Sequence, residues 1–200
     1  TAIIAGFETL HECADEKEPA MKESDDTYIT TLMGRDPQRG FKSLMDKYQE
    51  KVYWHIRRLV VGHEEARDVT QDTFVKVFRS FSSYRGSGSL GGWIYRIATN
   101  EALDHIARNK ARQMETDLEG TDYFSLHADE YTDYTKADAV AMQRIISSLP
   151  EKQQVAFSLR YYDELPFKEI ASIMGTTEVT ARVNYSIAKN KITNIITEKE

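Results

Sequence analysis

The strongest constraint on the fold is a run of apolar residues that recurs in steps of three and four: Phe41, Leu44, Met45, Tyr48, Val52, Ile56, Leu59 and Val60. This spacing places all of them along one side of a helix of about 20 residues. A strand would scatter the same residues over both faces. Gly62 is expected to end the helix. The rhythm returns after Glu64 and Glu65, two acids suited to the positive end of a helix dipole. There Ala66, Val69, Thr70, Thr73, Phe74, Val77, Phe78 and Phe81 form a second stripe. A third helix is expected from about Gly92 to Gln113, with Trp93, Ile94, Ile97, Ala98 and Ile106 as core contributors. No segment has the pattern of a strand, so the fold class is all-α, beginning with a three-helix bundle.

A second helical unit follows an acidic stretch poor in aliphatic residues. Residues 113–135 have too little apolar surface to fold alone and are expected to be a linker. Beyond it, Ala139, Met142, Ile145, Ile146 and Leu149 predict one amphipathic helix, and Pro150 suits the start of another running to Tyr162. Ile170, Ala171 and Met174 pack a short helix that turns at Gly175-Thr176. Thr177 then caps a helix carrying Val179, Val183 and Ile187, with Glu178, Thr180, Ala181, Arg182, Asn184, Tyr185 and Lys189 expected outside. Helix, glycine turn and helix read as a helix-turn-helix, and the outward residue types suit base edges and phosphates. The organisation expected is an N-terminal arm over 1–24, a helical domain over 25–112, the linker over 113–135 and a second domain over 136–200.

The net charge of −6 argues at first against nucleic acid, but it is unevenly spread. Residues 41–112 carry 13 Lys/Arg against 8 Asp/Glu, whereas residues 113–140 carry 1 against 8. The acidity sits in the arm and the linker, and the first domain is basic. The absence of a long apolar run argues against membrane insertion. The N-terminal residues lack the pattern of a signal peptide, and the single Cys13 rules out an internal disulfide framework; both lead to a cytoplasmic expectation.

Between the second and third helices lies a Ser/Gly loop leading into Trp93-Ile94-Tyr95-Arg96-Ile97-Ala98-Thr99-Asn100. Aromatic, arginine and asparagine side chains after a pliable loop can grip an unstacked base. Gly86-Ser87-Gly88-Ser89-Leu90-Gly91 formally matches a dinucleotide fingerprint, but a helix precedes it where that motif requires a strand. His55, His63, His105 and His127 have neither a paired nucleophile nor metal spacing, so no metal site or catalytic set is expected.

With these motifs in order, residues 25–195 resemble the sigma factors of bacterial RNA polymerase, in the small extracytoplasmic-function subfamily. Asp68-Val-Thr-Gln71-Asp72-Thr-Phe74-Val-Lys-Val-Phe78 resembles the family's polymerase-binding helix. Arg85-Gly86 with Trp93 to Asn100 resembles its promoter-melting segment. Leu149-Pro150-Glu151-Lys152-Gln153 with Leu159-Arg160, and Lys168-Glu169-Ile170-Ala171 through Gly175, Thr180 and Ala188-Lys189, resemble its second DNA-binding domain.

The resemblance implies a factor that directs core polymerase to promoters, with no catalysis and no cofactor of its own. Asp68, Gln71, Asp72, Val75 and Arg79, otherwise an ordinary solvated face, become the docking surface for the largest-subunit clamp helices; the polymerase flap is a further expected partner. Arg85, Gly86, Ser87, Gly88, Ser89, Trp93, Arg96, Asn100 and Arg108 are implied at the minus-ten element, where Trp93 either packs in the core or touches the strand. Thr177, Thr180, Arg182, Asn184 and Lys189 are implied at the minus-thirty-five element. Many relatives are more basic where this chain has Val183, Asn184, Tyr185 and Ile187, which implies weak intrinsic affinity for duplex and reliance on polymerase tethering. Leu90-Gly91-Gly92 also departs from the usual aromatic and polar residues of the loop. An anti-sigma partner is implied as well. The competing reading is a conventional helix-turn-helix regulator whose first domain senses or dimerises.

Overall fold

A computed structural model of the chain describes residues 23–60, 62–86, 88–115 and 137–197, and all regular structure in them is helical. Almost all of the expected arm, apart from residues 23 and 24 at the start of α1, and almost all of the acidic linker lie outside these residues. The order is α1 (Glu23–Arg35), α2 (Pro37–Leu59), α3 (His63–Ser80), a 3-10 turn (Phe81–Ser83), α4 (Leu90–Glu115), α5 (Ala137–Ser147), α6 (Glu151–Tyr161), α7 (Phe167–Met174) and α8 (Glu178–Thr197). Among the described residues no helix is long and apolar enough to cross a membrane.

Local chemistry sets the helix boundaries. Asp36 alone separates α1 from α2; its carboxylate accepts from the Arg39 amide at 3.2 Å, and Pro37 occupies the first turn, where a missing N–H costs nothing. The hairpin closes so tightly that Gly40 lies against the backbone of Met33. The α2 stripe is buried as its spacing requires, with Leu44, Tyr48, Val52 and Ile56 at its centre. Gly62 does not end this helix. α2 stops at Leu59, and Gly62, with an ordinary extended φ of −71°, instead precedes α3. α4 starts two residues before the expected Gly92 because the Ser89 hydroxyl accepts from the Gly92 amide at 3.0 Å and caps the helix there.

The second stripe departs from expectation at one residue. Ala66, Val69, Thr73, Phe74 and Val77 are buried, but Phe78 is 45% exposed and meets Phe41 edge-on, with ring centroids 5.0 Å apart. Residue 78 falls at the margin of the stripe, on the side turned to α2's outer edge.

α5 to α8 do not stand apart from the first unit. Val155, Leu159, Ile170, Ala171, Ile173 and Ala181 join the same apolar core as α2, α3 and α4. A separate core of Ile145, Ile146, Leu149, Phe157, Ala188, Ile192 and Ile196 holds the second unit internally.

The buried part of the seam between the units is polar around Asp163, and an exposed Lys110–Glu151 pair bridges it elsewhere. Asp163, in the α6–α7 connection, accepts from Arg58 Nη1 at 2.9 Å, and its other oxygen lies 3.0 Å from His55 Nδ1. The Tyr95 hydroxyl approaches the same carboxylate at 3.4 Å, and His55 Nε2 reaches the Thr99 hydroxyl at 2.9 Å. Burial, and after it the Asp163 charge, raises the Tyr95 phenol well above its ordinary value. Gln143 of α5 donates to the Arg58 carbonyl at 2.8 Å, and the Arg58 guanidinium lies 4.5 Å from the centre of the Tyr162 ring.

Candidate functional site

Three exposed regions hold the residues singled out from the sequence. On α3, Asp68, Gln71, Asp72, Val75 and Arg79 are all exposed, Val75 by 43%. They follow a three- and four-residue rhythm opposite the buried stripe, so the helix presents them together. Beside them runs an open groove of about 920 Å3 between α2 and α3. Asp46, Glu50, Glu64 and Asp68 line it with Arg67 as a cation, and Phe41 and Met45 supply an apolar strip. The α2 wall was not legible in the sequence, where Phe41 and Met45 read only as core. The available signal was the pair Asp46 and Glu50, one turn apart on the same helix.

The second region is the loop and the exposed side of α4. Arg85, Gly86 and Gly88 are exposed, and Ser87 lies outside the described residues. Gly86 and Gly88 have φ of +69° and +134°, which side-chain-bearing residues rarely adopt. The Tyr84 hydroxyl donates to the Gly88 carbonyl at 2.9 Å and holds the loop back on itself. Trp93 is half-buried, with Tyr84 at 5.4 Å and Phe81 at 6.1 Å between ring centroids, and packs on the core. Its ring packs against Tyr84, the residue that ties the loop back. Arg96 and Asn100 are exposed one turn apart, and Arg108 continues toward the C-terminal end, its Nε donating to the Asp104 carbonyl at 3.2 Å. Lys76 of α3 pairs with Glu101, fixing the flank of this helix.

The third region is the α7–α8 pair. Gly175 takes the left-handed conformation, φ +61°, that ends α7. The Thr177 hydroxyl accepts from the Thr180 amide at 3.1 Å, capping α8 as expected. The face assigned to α8 from the sequence is wrong, however. Ala181 is fully buried, and Asn184, Tyr185 and Lys189 are half-buried, while Val179, Val183 and Ile187 are exposed by 71%, 49% and 39%. α8 buries Ala181, Ala188, Ile192 and Ile196 instead. Asn184 turns its amide back to the Thr180 carbonyl at 2.9 Å, and Tyr185 stacks on Phe157. Arg182 is exposed at the side chain, ion-paired with Glu178 at 3.1 Å and set 4.4 Å from the centre of the Phe167 ring. Thr177, Thr180 and Arg182 are therefore brought to one end of α8 at the surface, whereas Asn184 and Lys189 flank it.

His127 lies outside the described residues, and the described histidines His55, His63 and His105 make hydrogen bonds within the chain. His55 belongs to the Asp163 seam, the His63 ring lies 2.7 Å from the Tyr53 hydroxyl, and His105 lies 2.9 Å from the Asn109 amide, with burial lowering its pKa.

Comparison with known families assigns both units. A family model described as Sigma-70 region 2 matches residues 44–112, and one described as Sigma-70, region 4 matches residues 139–192. Together they cover more than half of the chain.

The chain belongs to the sigma-70 family.

Its relatives place it in the extracytoplasmic-function subfamily. The RNA polymerase sigma-H factor of Pseudomonas aeruginosa is 29% identical over 181 residues, 86% of this chain and 94% of that protein. The ECF RNA polymerase sigma-E factor of Escherichia coli K12 is 28% identical over 178 residues, 84% of this chain and 93% of that protein. Among solved structures, CnrH in complex with the cytosolic domain of CnrY has the same fold at a TM-score of 0.67 and 16% identity, covering 88% of this chain and 99% of that one. The sigma factor RpoE of Bartonella quintana, solved with the anti-sigma factor NepR, gives 0.63 and 19% identity over 78% and 96%. The chain is thus a promoter-specific transcription initiation factor with a region 2 and a region 4. In these terms the α2–α3 groove and the α4 segment belong to region 2, and α7–α8 to region 4.

Proposed function

We propose that this sigma factor docks on core RNA polymerase through the exposed α3 face and its groove, nucleates promoter opening with the loop and α4, and reads an upstream element with α8. The observation that carries this is the division of labour within region 2. An acidic and apolar face lies on α3, while Arg96 and Asn100 project from α4, one helix away. Basic clamp helices are electrostatically complementary to Asp68 and Asp72, and Val75 and Phe78 add apolar area to that contact. Strand opening needs a site that repays a few kcal/mol of unstacking. The glycine loop before Trp93 lets backbone groups approach a base closely, and Arg96 and Asn100 supply hydrogen bonds to the exposed strand. Trp93 supports that loop through its packing against Tyr84.

The factor adds no chemistry of its own, because phosphodiester synthesis belongs to the polymerase, and it works in the cytoplasm where polymerase is. One fold relative was solved with an anti-sigma factor, NepR, and another with the cytosolic domain of CnrY. An anti-sigma partner covering the α3 face is proposed here on that basis and on the exposed apolar residues Val75 and Phe78.

The test is transcription from genomic fragments by core polymerase with and without the purified chain, mapping start sites. Specific starts that depend on the chain are expected. Tight, sequence-specific duplex binding by the chain alone, with no stimulated initiation, would overturn the proposal in favour of a conventional regulator.

Two substitutions separate the steps. Asp72→Ala is expected to weaken core-polymerase binding several-fold, with a dependence on ionic strength that the wild type shows more strongly, as measured by fluorescence anisotropy. Asn100→Ala is expected to bind polymerase normally and to slow open-complex formation by about tenfold, the effect of losing one charge-free hydrogen bond to a strand with its partner left unpaired. Loss of polymerase binding in Asn100→Ala with the fold intact would reassign α4 to docking.

A further inference from the structure

The outward face of α8 carries a row of apolar side chains where region 4 meets DNA. Val179, Val183 and Ile187 stand at i, i+4 and i+8, exposed, with Arg182 and Ser186 beside them. The opposite face is filled by Ala181, Ala188 and Ile192, so the row cannot turn inward. The helix is capped by Thr177 and braced from behind by α7, which presents its first turns outward as a helix-turn-helix does.

The major groove offers one apolar group, the C5 methyl of thymine; every other base-edge feature is a donor or an acceptor. An apolar side chain pressed on guanine O6 and N7, or on adenine N6 and N7, removes water from those groups and returns no hydrogen bond. At 1.5 Å rise per residue, Val179 and Val183 are about 6 Å apart, close to two base-pair steps of 3.4 Å. The same stretch carries Arg182, paired with Glu178 one turn back and set over the Phe167 ring, and Lys168 is exposed at the start of α7; exchange of Arg182 from Glu178 to a phosphate would complement the DNA backbone. An apolar row interleaved with hydroxyl and guanidinium groups on a capped recognition helix matches a thymine-bearing groove better than it matches an apolar protein surface.

We propose that α8 selects its upstream element through van der Waals contact of Val179 and Val183 with thymine methyl groups, with Ile187 at the rim and Arg182 contributing the single cationic contact of the first two turns. The proposal rests on region 4 being the upstream reader. It predicts an element with thymines about two steps apart on the strand facing α8.

The experiment uses the full chain bound to core polymerase. Duplexes are selected from a library randomised upstream of a fixed minus-ten region, and each thymine of the enriched element is then replaced by deoxyuridine, which removes only the methyl. The expected result is about fourfold weaker binding per contacted methyl, the effect of one methylene-sized group. In Val183→Ser, an exposed site whose fold is checked by circular dichroism, the uracil penalty at one position is expected to vanish. An enriched element that is indifferent to uracil, or a penalty that persists in Val183→Ser and Val179→Ser, overturns methyl reading while region 4 remains the upstream reader. No enriched upstream element at all overturns the underlying reading. Serine variants that keep the selected element and its uracil penalty but lose affinity for polymerase would show the row to be a protein-docking surface, and overturn the proposal.

Discussion

Replacing Asp163 with alanine is expected to part the two helical units without unfolding either. The carboxylate, only 6% exposed at its side chain, satisfies Arg58 and faces His55 and Tyr95. Removing one member of such a buried cluster leaves a guanidinium, a ring nitrogen and a phenol facing a gap. Loss of a partner in a buried pair costs about 3–5 kcal/mol. The low end applies because Arg58 keeps 19% of its side-chain surface in contact with water. The apolar seam, with Val155, Leu159, Ile170 and Ile173 in it, then carries the contact together with the Gln143 hydrogen bond to the Arg58 carbonyl and the exposed Lys110–Glu151 pair. Small-angle scattering is the direct measurement: the radius of gyration should rise in Asp163→Ala while helical content by circular dichroism stays level. A scattering curve identical to that of the wild type would mean that these remaining contacts hold the units together without Asp163.

Gly40→Ala is expected to cost more than an ordinary surface change by a wide margin. A Cβ at residue 40 would lie 2.5 Å from the Met33 amide nitrogen and 2.6 Å from its Cα, both rigid backbone atoms. α1 must therefore move away from α2, opening the contacts of Ile29 and Met33 with the core. Overpacking of this kind costs about 1–3 kcal/mol, and a clash with backbone lies at the upper end. Helix propensity works the other way, since alanine is favoured over glycine by about 1 kcal/mol in a helix interior. A net loss therefore reports the steric term directly. With a net loss of about 2 kcal/mol, the melting temperature of a chain of this size is expected to fall by roughly 4–8 °C. Gly34→Ala, where nothing lies within 4 Å of the added carbon, is the matched control and is expected to be neutral or stabilising. Equal melting temperatures for the two variants would contradict the close approach of α1 and α2.

Most of the helices were legible because apolar spacing of three and four residues has one economical solution. Leu44, Tyr48, Val52 and Ile56 can be buried together only on a helix, and the same holds for Ala66, Val69, Thr73, Phe74 and Val77. Gly175 and Thr177 announced the turn between α7 and α8 through backbone and capping chemistry that acts within a few residues. The exposed set on α3 followed directly, since residues opposite a buried stripe have nowhere else to point.

The face of α8 was not legible, for a physical reason. The helix carries two rows at helical spacing, Val179, Val183 and Ile187 on one side and Ala181, Ala188, Ile192 and Ile196 on another. Hydrophobicity alone favours the β-branched row. The tertiary structure buries the alanine row because the small side chains let α8 approach α6 and α7 closely, and area is gained over the whole interface rather than per residue. The α2 wall of the groove was hidden similarly, because a half-buried Phe41 or Met45 looks the same in sequence whether its exposed edge meets solvent or a partner.

By itself the sequence determined an all-helical chain, the turn chemistry of α7–α8, and the polar residues that α3 and α4 expose, because each depends on interactions among near neighbours. Only the tertiary structure decided which row of α8 faces outward and that Asp163 meets His55 and Arg58 from more than a hundred positions away. Those outcomes depend on the shapes of other helices, and no local spacing records a contact between segments so distant along the chain.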